Sequence, residues 1–126
     1  MVNARARGLR FERELQKFFE DEGAYVIRTV KHNPRTFMLE YSGFPDLVLI
    51  FRDENNMFGE RVVFVEAKYS KPYISKDEKK EAKRLRPYGK VYVVSKSDKR
   101  NSKYVGRATS GRHRFFFGRP KSRSSI

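Results

Sequence analysis

Pro45-Asp46-Leu47-Val48-Leu49-Ile50 and, after a polar interval, Val62-Val63-Phe64-Val65-Glu66-Ala67-Lys68 read as two adjacent apolar strands. The first opens on a carboxylate; the second closes on a carboxylate and a lysine two residues apart. Strand side chains alternate between faces, so Glu66 and Lys68 point the same way and Ala67 the other. If the strands pair through a turn at Asp53–Glu60, the start of one lies beside the end of the other, bringing Asp46 close to Glu66 and Lys68. Two carboxylates and an ammonium on one sheet edge are the parts of a divalent-metal site with a basic partner.

Working outward, residues 8–22 are expected to form a helix, with Leu9, Phe11, Leu15, Phe18 and Phe19 at mostly helical spacing and Gly23 as the stop. Residues 24–30 are a β-branched strand candidate, followed by a polar loop from Lys31 to Gly43. The central strands span about 46–52 and 61–69. Ser75-Lys76-Asp77-Glu78 has the capping-box pattern, with a charged helix expected to run to Arg86 before Pro87 and Gly89, its inner face at Ala82 and Leu85. Lys90 to Ser95 is a further buried strand. Residues 104–109 and 112–117 form a hairpin candidate turning at Ser110-Gly111, whose Phe115-Phe116-Phe117 run covers the sheet or joins a subunit interface. We expect an α/β fold, with a central mixed β-sheet flanked by helices.

The chain has 126 residues and 38% hydrophobic content, enough for one domain with a modest core. We expect a single domain over 1–118 and a basic, flexible tail over 119–126. No cysteine is present, which excludes disulfides and thiolate metal sites. No apolar run reaches membrane-spanning length, and the N-terminus lacks the apolar segment of a secretory signal, so an intracellular setting, cytoplasm or nucleoid, is expected. The net charge is +14, and its placement is uneven. Residues 1–10 carry three basic side chains and 99–126 carry nine, with no acidic ones in either, whereas 11–98 hold 17 basic against 15 acidic. Basic ends around a balanced centre point to nucleic acid rather than to a membrane surface, since no basic stretch is clearly amphipathic.

A phosphodiester resists water because an anion must be attacked by a nucleophile. Hard Mg²⁺, or Mn²⁺ in its place, prefers oxygen ligands, and two carboxylates suffice to seat one ion. A nearby lysine can orient the attacking water or steady developing negative charge. Glu-x-Lys alone is common at strand ends. Pro45-Asp46 opening one apolar strand with Glu66-Ala67-Lys68 closing the next is far more specific, and it resembles the PD-(D/E)XK nucleases, whose restriction-endonuclease-like core is then the expected fold. Within that superfamily the layout looks most like the archaeal-type Holliday junction resolvases. Phe11-Glu12-Arg13-Glu14-Leu15 behind Arg7-Gly8, then the Gly23–Arg28 segment, the capped helix and its following strand, extend the resemblance over about residues 5–95.

The resemblance implies a divalent-metal-dependent endonuclease acting as a homodimer on four-way DNA junctions. It implies Asp46 and Glu66 as direct metal ligands, Glu12 as a further carboxylate acting through water, the Ala67 carbonyl as a third ligand, and Lys68 as the catalytic base-like or stabilising group. Glu12 taken by itself also reads as a solvated helix residue. Phosphate contacts are expected from Arg5, Arg7, Arg10, Lys31, His32, Arg35, Ser42, Lys71, Arg112 and Arg114. The 31–43 loop departs from the family in length, and Ser42 is its only serine. No base-reading helix is evident, so selectivity for shape is expected over selectivity for sequence. One alternative is another nuclease of the superfamily, serving repair, restriction or viral replication on flap or duplex DNA. The other is a catalytically inactive basic DNA-binding protein, against which the intact set Glu12, Asp46, Glu66 and Lys68 argues.

Overall fold

The computed structural model describes residues 4–29, 43–98 and 103–118. The loop residues Lys31, His32, Arg35 and Ser42 and the expected tail 119–126 lie outside them.

Helix α1 spans Ala4–Asp21, beginning four residues before the expected start. Phe11, Leu15, Phe18 and Phe19 recur at intervals of four and three, then adjacent, forming one stripe, and all four are buried. Leu9 falls outside that stripe and is exposed, contrary to its expected place on the inner face. The helix ends as its sequence predicts. Gly23 has φ 96°, its N–H donates to the Glu20 carbonyl, and the Ala24 N–H donates to the Phe19 carbonyl. These are the paired bonds of a Schellman cap, for which glycine supplies the left-handed residue.

Among the described residues, strands β1 (Tyr25–Arg28), β2 (Leu47–Ile50), β3 (Val62–Lys68), β4 (Lys90–Asp98), β5 (Lys103–Ala108) and β6 (Arg114–Gly118) form one six-stranded sheet in sequential order. Only β3 and β4 are parallel; every other neighbouring pair is antiparallel. The parallel pair needs a crossover, and helix α2 (Lys76–Leu85) supplies it. Ser75 caps α2 with both arms of the capping box in place.

The two faces of the sheet bury different things. Against α1 lie Leu47, Leu49, Val63, Val65, Tyr92, Val94 and Tyr104, joined by Ala67, Phe115 and Phe117. Against α2 lie Phe64 and Val91 with Ala82, flanked by Val48, Val62 and Leu85. The Phe115–Phe117 run therefore splits by strand alternation. Phe115 and Phe117 stack at 5.3 Å over the α1 side, and Phe116 faces out at 60% exposure. Gly106 makes room for them, since a Cβ there would stand 2.8 Å from the Phe115 ring.

The interval between β2 and β3 is more than a polar turn. The Asn56 side chain donates to the carbonyls of Asp53 and Glu60 and accepts from the Phe58 N–H. That knot turns Phe58 inward against Phe19, Tyr92 and Phe115, with ring centroids 5.8, 4.8 and 6.0 Å away. Tyr92, packed there, has its hydroxyl pKa raised above 10.0, first by burial and second by the Glu60 carboxylate.

Gly43 marks where α2 docks on the approach to β2. Its φ is 85°, and a Cβ would lie 2.6 Å from the Asp77 carbonyl oxygen. Gly23 shares the positive φ but has open space around its absent Cβ. Gly23→Ala should therefore cost about 1 kcal/mol, the left-handed penalty alone. Gly43→Ala adds a backbone clash and should cost about 1–3 kcal/mol more, read from urea unfolding midpoints.

Candidate active site

The sheet register brings the acidic pair together. Leu47 pairs with Val65, so the next step along both strands sets Asp46 opposite Glu66. Both are buried, Asp46 at 8% exposure and Glu66 at 1%. Asp46 is fixed through two groups. Its Oδ2 accepts the Ala67 N–H at 2.8 Å, tying it to β3. Its carbonyl accepts the Thr29 N–H at 3.0 Å, and the Thr29 hydroxyl donates to the Pro45 carbonyl at 2.7 Å, tying it to the end of β1.

Alternation along β3 then places the remaining groups. Ala67 packs into the α1-side core, so Glu66 and Lys68 share the α2 side. Lys68 Nζ donates to both oxygens of Glu78 on α2, at 3.0 and 2.9 Å. Glu78 Oε1 also accepts the Ser75 N–H at 2.7 Å, so one carboxylate serves both the helix cap and the lysine. Ser95, paired in register with Lys68 on β4, is buried beside it.

Glu12 sits on the other side of this edge. Arg28 pairs in register with Leu47, whose side chain faces α1, and its guanidinium reaches Glu12 Oε1 at 3.4 Å. The structure thus groups Asp46, Glu66 and Lys68 toward α2 and sets Glu12 with Arg28 toward α1. Two residues further along α1, Glu14 accepts from Lys96 at 3.1 Å and from the Tyr104 hydroxyl at 2.7 Å, fastening that helix across β4 and β5.

The expected phosphate contacts fall in two places. Arg7 is exposed, with its guanidinium 5.7 Å from the ring centroid of Tyr69, the residue after Lys68. Arg10 and Lys71 are also exposed. Arg5 belongs to α1, its side chain lying outside those described. Arg112 and Arg114 are exposed at the start of β6 and the turn before it. Register links Arg114 to the acidic pair: Glu66 pairs with Val93, Val93 with Arg107, and Arg107 with Arg114. Paired residues share a face, so both arginines lie on Glu66's side, two and three strand spacings away, about 10 and 14 Å. Arg107 was visible in the sequence only as one charge among nine; its strand register, not its composition, singles it out. The role of Glu78 was hidden in the same way, because a capping-box glutamate carries no sign of a lysine ten residues earlier.

The donor set of the acidic pair is oxygen alone, presented from neighbouring strands. It suits a hard divalent cation that keeps most of its own water. Among the described residues no group of three or more Asp, Glu, His or Cys is arranged to hold a metal, and a two-carboxylate site does not require one.

A family model described as archaeal Holliday junction resolvase (Hjc) matches residues 3–105. No curated protein and no solved structure matches the chain.

The Asp46 carboxylate has a structural duty that can be separated from its charge. Asp46→Asn retains an oxygen that can accept the Ala67 N–H and removes one of two like charges, so it should hold or raise the melting temperature. Asp46→Ala strands that N–H and should cost about 1–3 kcal/mol in thermal or urea unfolding.

Proposed function

The chain belongs to the archaeal Holliday junction resolvase family, and from that premise we propose how its own residues carry out metal-dependent cutting of four-way DNA junctions. The observation that carries the proposal is the Ala67-to-Asp46 hydrogen bond, which holds Asp46 and Glu66 opposite each other with Lys68 on the same side. In this reading Asp46 and Glu66 would hold Mg²⁺, with Mn²⁺ as a substitute, and the Ala67 carbonyl would contribute a further oxygen. The ion supplies charge neutralisation at the phosphodiester and a more acidic bound water.

The protein side chains do the rest. Lys68 Nζ–H donates a hydrogen bond to the reacting oxygen, orienting the water or steadying charge as it develops on the phosphate. Glu12 adds its carboxylate through water from the α1 side, where Arg28 fixes its orientation. Burial of Asp46 and Glu66 keeps bulk water from competing for their oxygens and strengthens the local field. Arg7, Arg10, Lys71, Arg112 and Arg114, with Arg107 between the last two and the acidic pair, take phosphates on either side. Contacts of this kind position DNA without reading its bases, which agrees with selectivity for junction shape. A homodimer would present two such sites to the two strands of a two-fold junction. An intracellular setting follows from a DNA substrate.

Two measurements test this. With Mg²⁺, the protein should cut a four-way junction in preference to linear duplex of the same arm sequence. Asp46→Asn should bind the junction while losing at least about a hundredfold in cleavage rate. Unchanged cleavage by that variant would sink the site assignment. Separately, deleting residues 119–126 removes Arg119, Lys121 and Arg123. If the tail grips DNA, the slope of log affinity against log salt should fall by up to about 2.7, since each lost phosphate contact removes about 0.9. A slope unchanged by the deletion would assign DNA binding to the folded domain alone.

A further inference from the structure

We propose that Glu78 is a positioning residue for Lys68, holding its ammonium at the edge where Asp46 and Glu66 meet. The inference rests on Lys68 being the reacting lysine. A lysine on a strand end has a flexible four-carbon stem, so an unassisted Nζ samples many positions. Here Nζ lies 3.0 and 2.9 Å from the two Glu78 oxygens, and both side chains are largely shielded, at 25% and 16% exposure.

Glu78 can do this because it is itself fixed. Its Oε1 accepts the Ser75 N–H, and the Ser75 Oγ accepts the Glu78 N–H at 3.1 Å, which locks the carboxylate to the first turn of α2. That turn sits against Gly43 on the approach to Asp46, and Ala82 and Leu85 fasten the helix over Phe64 and Val91. The chain of support runs from the sheet through α2 to Glu78 and back to the lysine on the same sheet.

Capping alone would not need a glutamate. A capping box requires one acceptor oxygen at this position, and glutamine serves there as well as glutamate. The negative charge and second oxygen of Glu78 are spent on Lys68 instead. An ammonium has three N–H groups. Two directed at Glu78 leave a third for the reacting oxygen, aimed from a fixed base.

The test compares Glu78→Gln, Glu78→Ala, Ser75→Ala and Lys68→Ala with the parent, using single-turnover cleavage of a four-way junction at saturating protein with Mg²⁺. Junction affinity without divalent metal and melting temperature are measured beside it. Glu78→Gln keeps the cap and should hold the parent melting temperature and affinity while slowing cleavage about tenfold; Glu78→Ala should slow it about a hundredfold, the scale of a misplaced reacting group. Ser75→Ala should lower the melting temperature and cut at the parent rate when saturating. Parent-like cleavage by Glu78→Gln, or a loss of rate only in step with a loss of melting temperature, would overturn the positioning role. With Lys68→Ala inactive, either result removes this inference and leaves the site reading standing. Parent-like cleavage by Lys68→Ala would remove both.

Discussion

One hydrogen bond, from the Ala67 N–H to Asp46 Oδ2, fixes what the rest of the molecule can do. It spans β2 and β3 at the end where both acidic residues lie, and it exists in one register only. A slip of one residue would turn Glu66 and Lys68 toward α1 and send Ala67 outward, since strand side chains repeat every two positions. The sheet resists that slip at several points. Leu47, Leu49, Val63 and Val65 are each fully buried on the α1 side, and the Asn56 knot sets the length of the connection between the strands. The hydrophobic alternation that forms the core is thus the same feature that aims the carboxylates.

Holding Asp46 and Glu66 opposite each other in a buried place works against stability. Like charges on paired strand positions repel, and removal from water raises the cost of each. A fold that retains such an arrangement needs strong support nearby, and here it is backbone-based: the Thr29 and Ala67 N–H groups anchor Asp46 from both neighbouring strands. Two nearby cations have carboxylate partners of their own. Lys68 is drawn toward Glu78, and Arg28 toward Glu12 on the opposite side.

Much of this was legible in the sequence because the signals were local. Alternation predicted the faces of β3, periodicity the buried stripe of α1, and Ser75 with Glu78 the capped start of α2. Gly23 placed the end of α1 to within one residue. What stayed hidden depends on distant parts of the chain meeting. Phe58 sits in a stretch whose Asp, Asn and Gly content reads as a solvated turn, and only the Asn56 knot explains its burial. Leu9 is apolar yet lies off the helix stripe by one position. The Glu12–Arg28 and Glu78–Lys68 pairs join residues 16 and 10 positions apart on different elements, and no spacing rule links such residues. The +14 charge was plain, whereas the alignment of Arg107 and Arg114 with Glu66 required strand register.

That alignment changes how the positive charge should be understood. A uniformly basic surface would hold phosphate anywhere, with no preference for the reacting position. Here the acidic pair lies in a basic surround, with Arg7 beside Tyr69 near the lysine end of β3 and Arg107 and Arg114 along the sheet on the far side. Screening in physiological salt has a length of about 8 Å, so a cation about 10 Å from Glu66 still acts on a phosphate between them, and one at about 14 Å acts mainly on the next. In the proposed reading, phosphates would be drawn to the border of the acidic pair and repelled from its centre until a divalent ion cancelled the two negative charges there. In the proposed reading, binding and cutting fall to different charges: Arg107 and Arg114 share the sheet face of Glu66, and Arg7 reaches the lysine end of β3 from the α1 side.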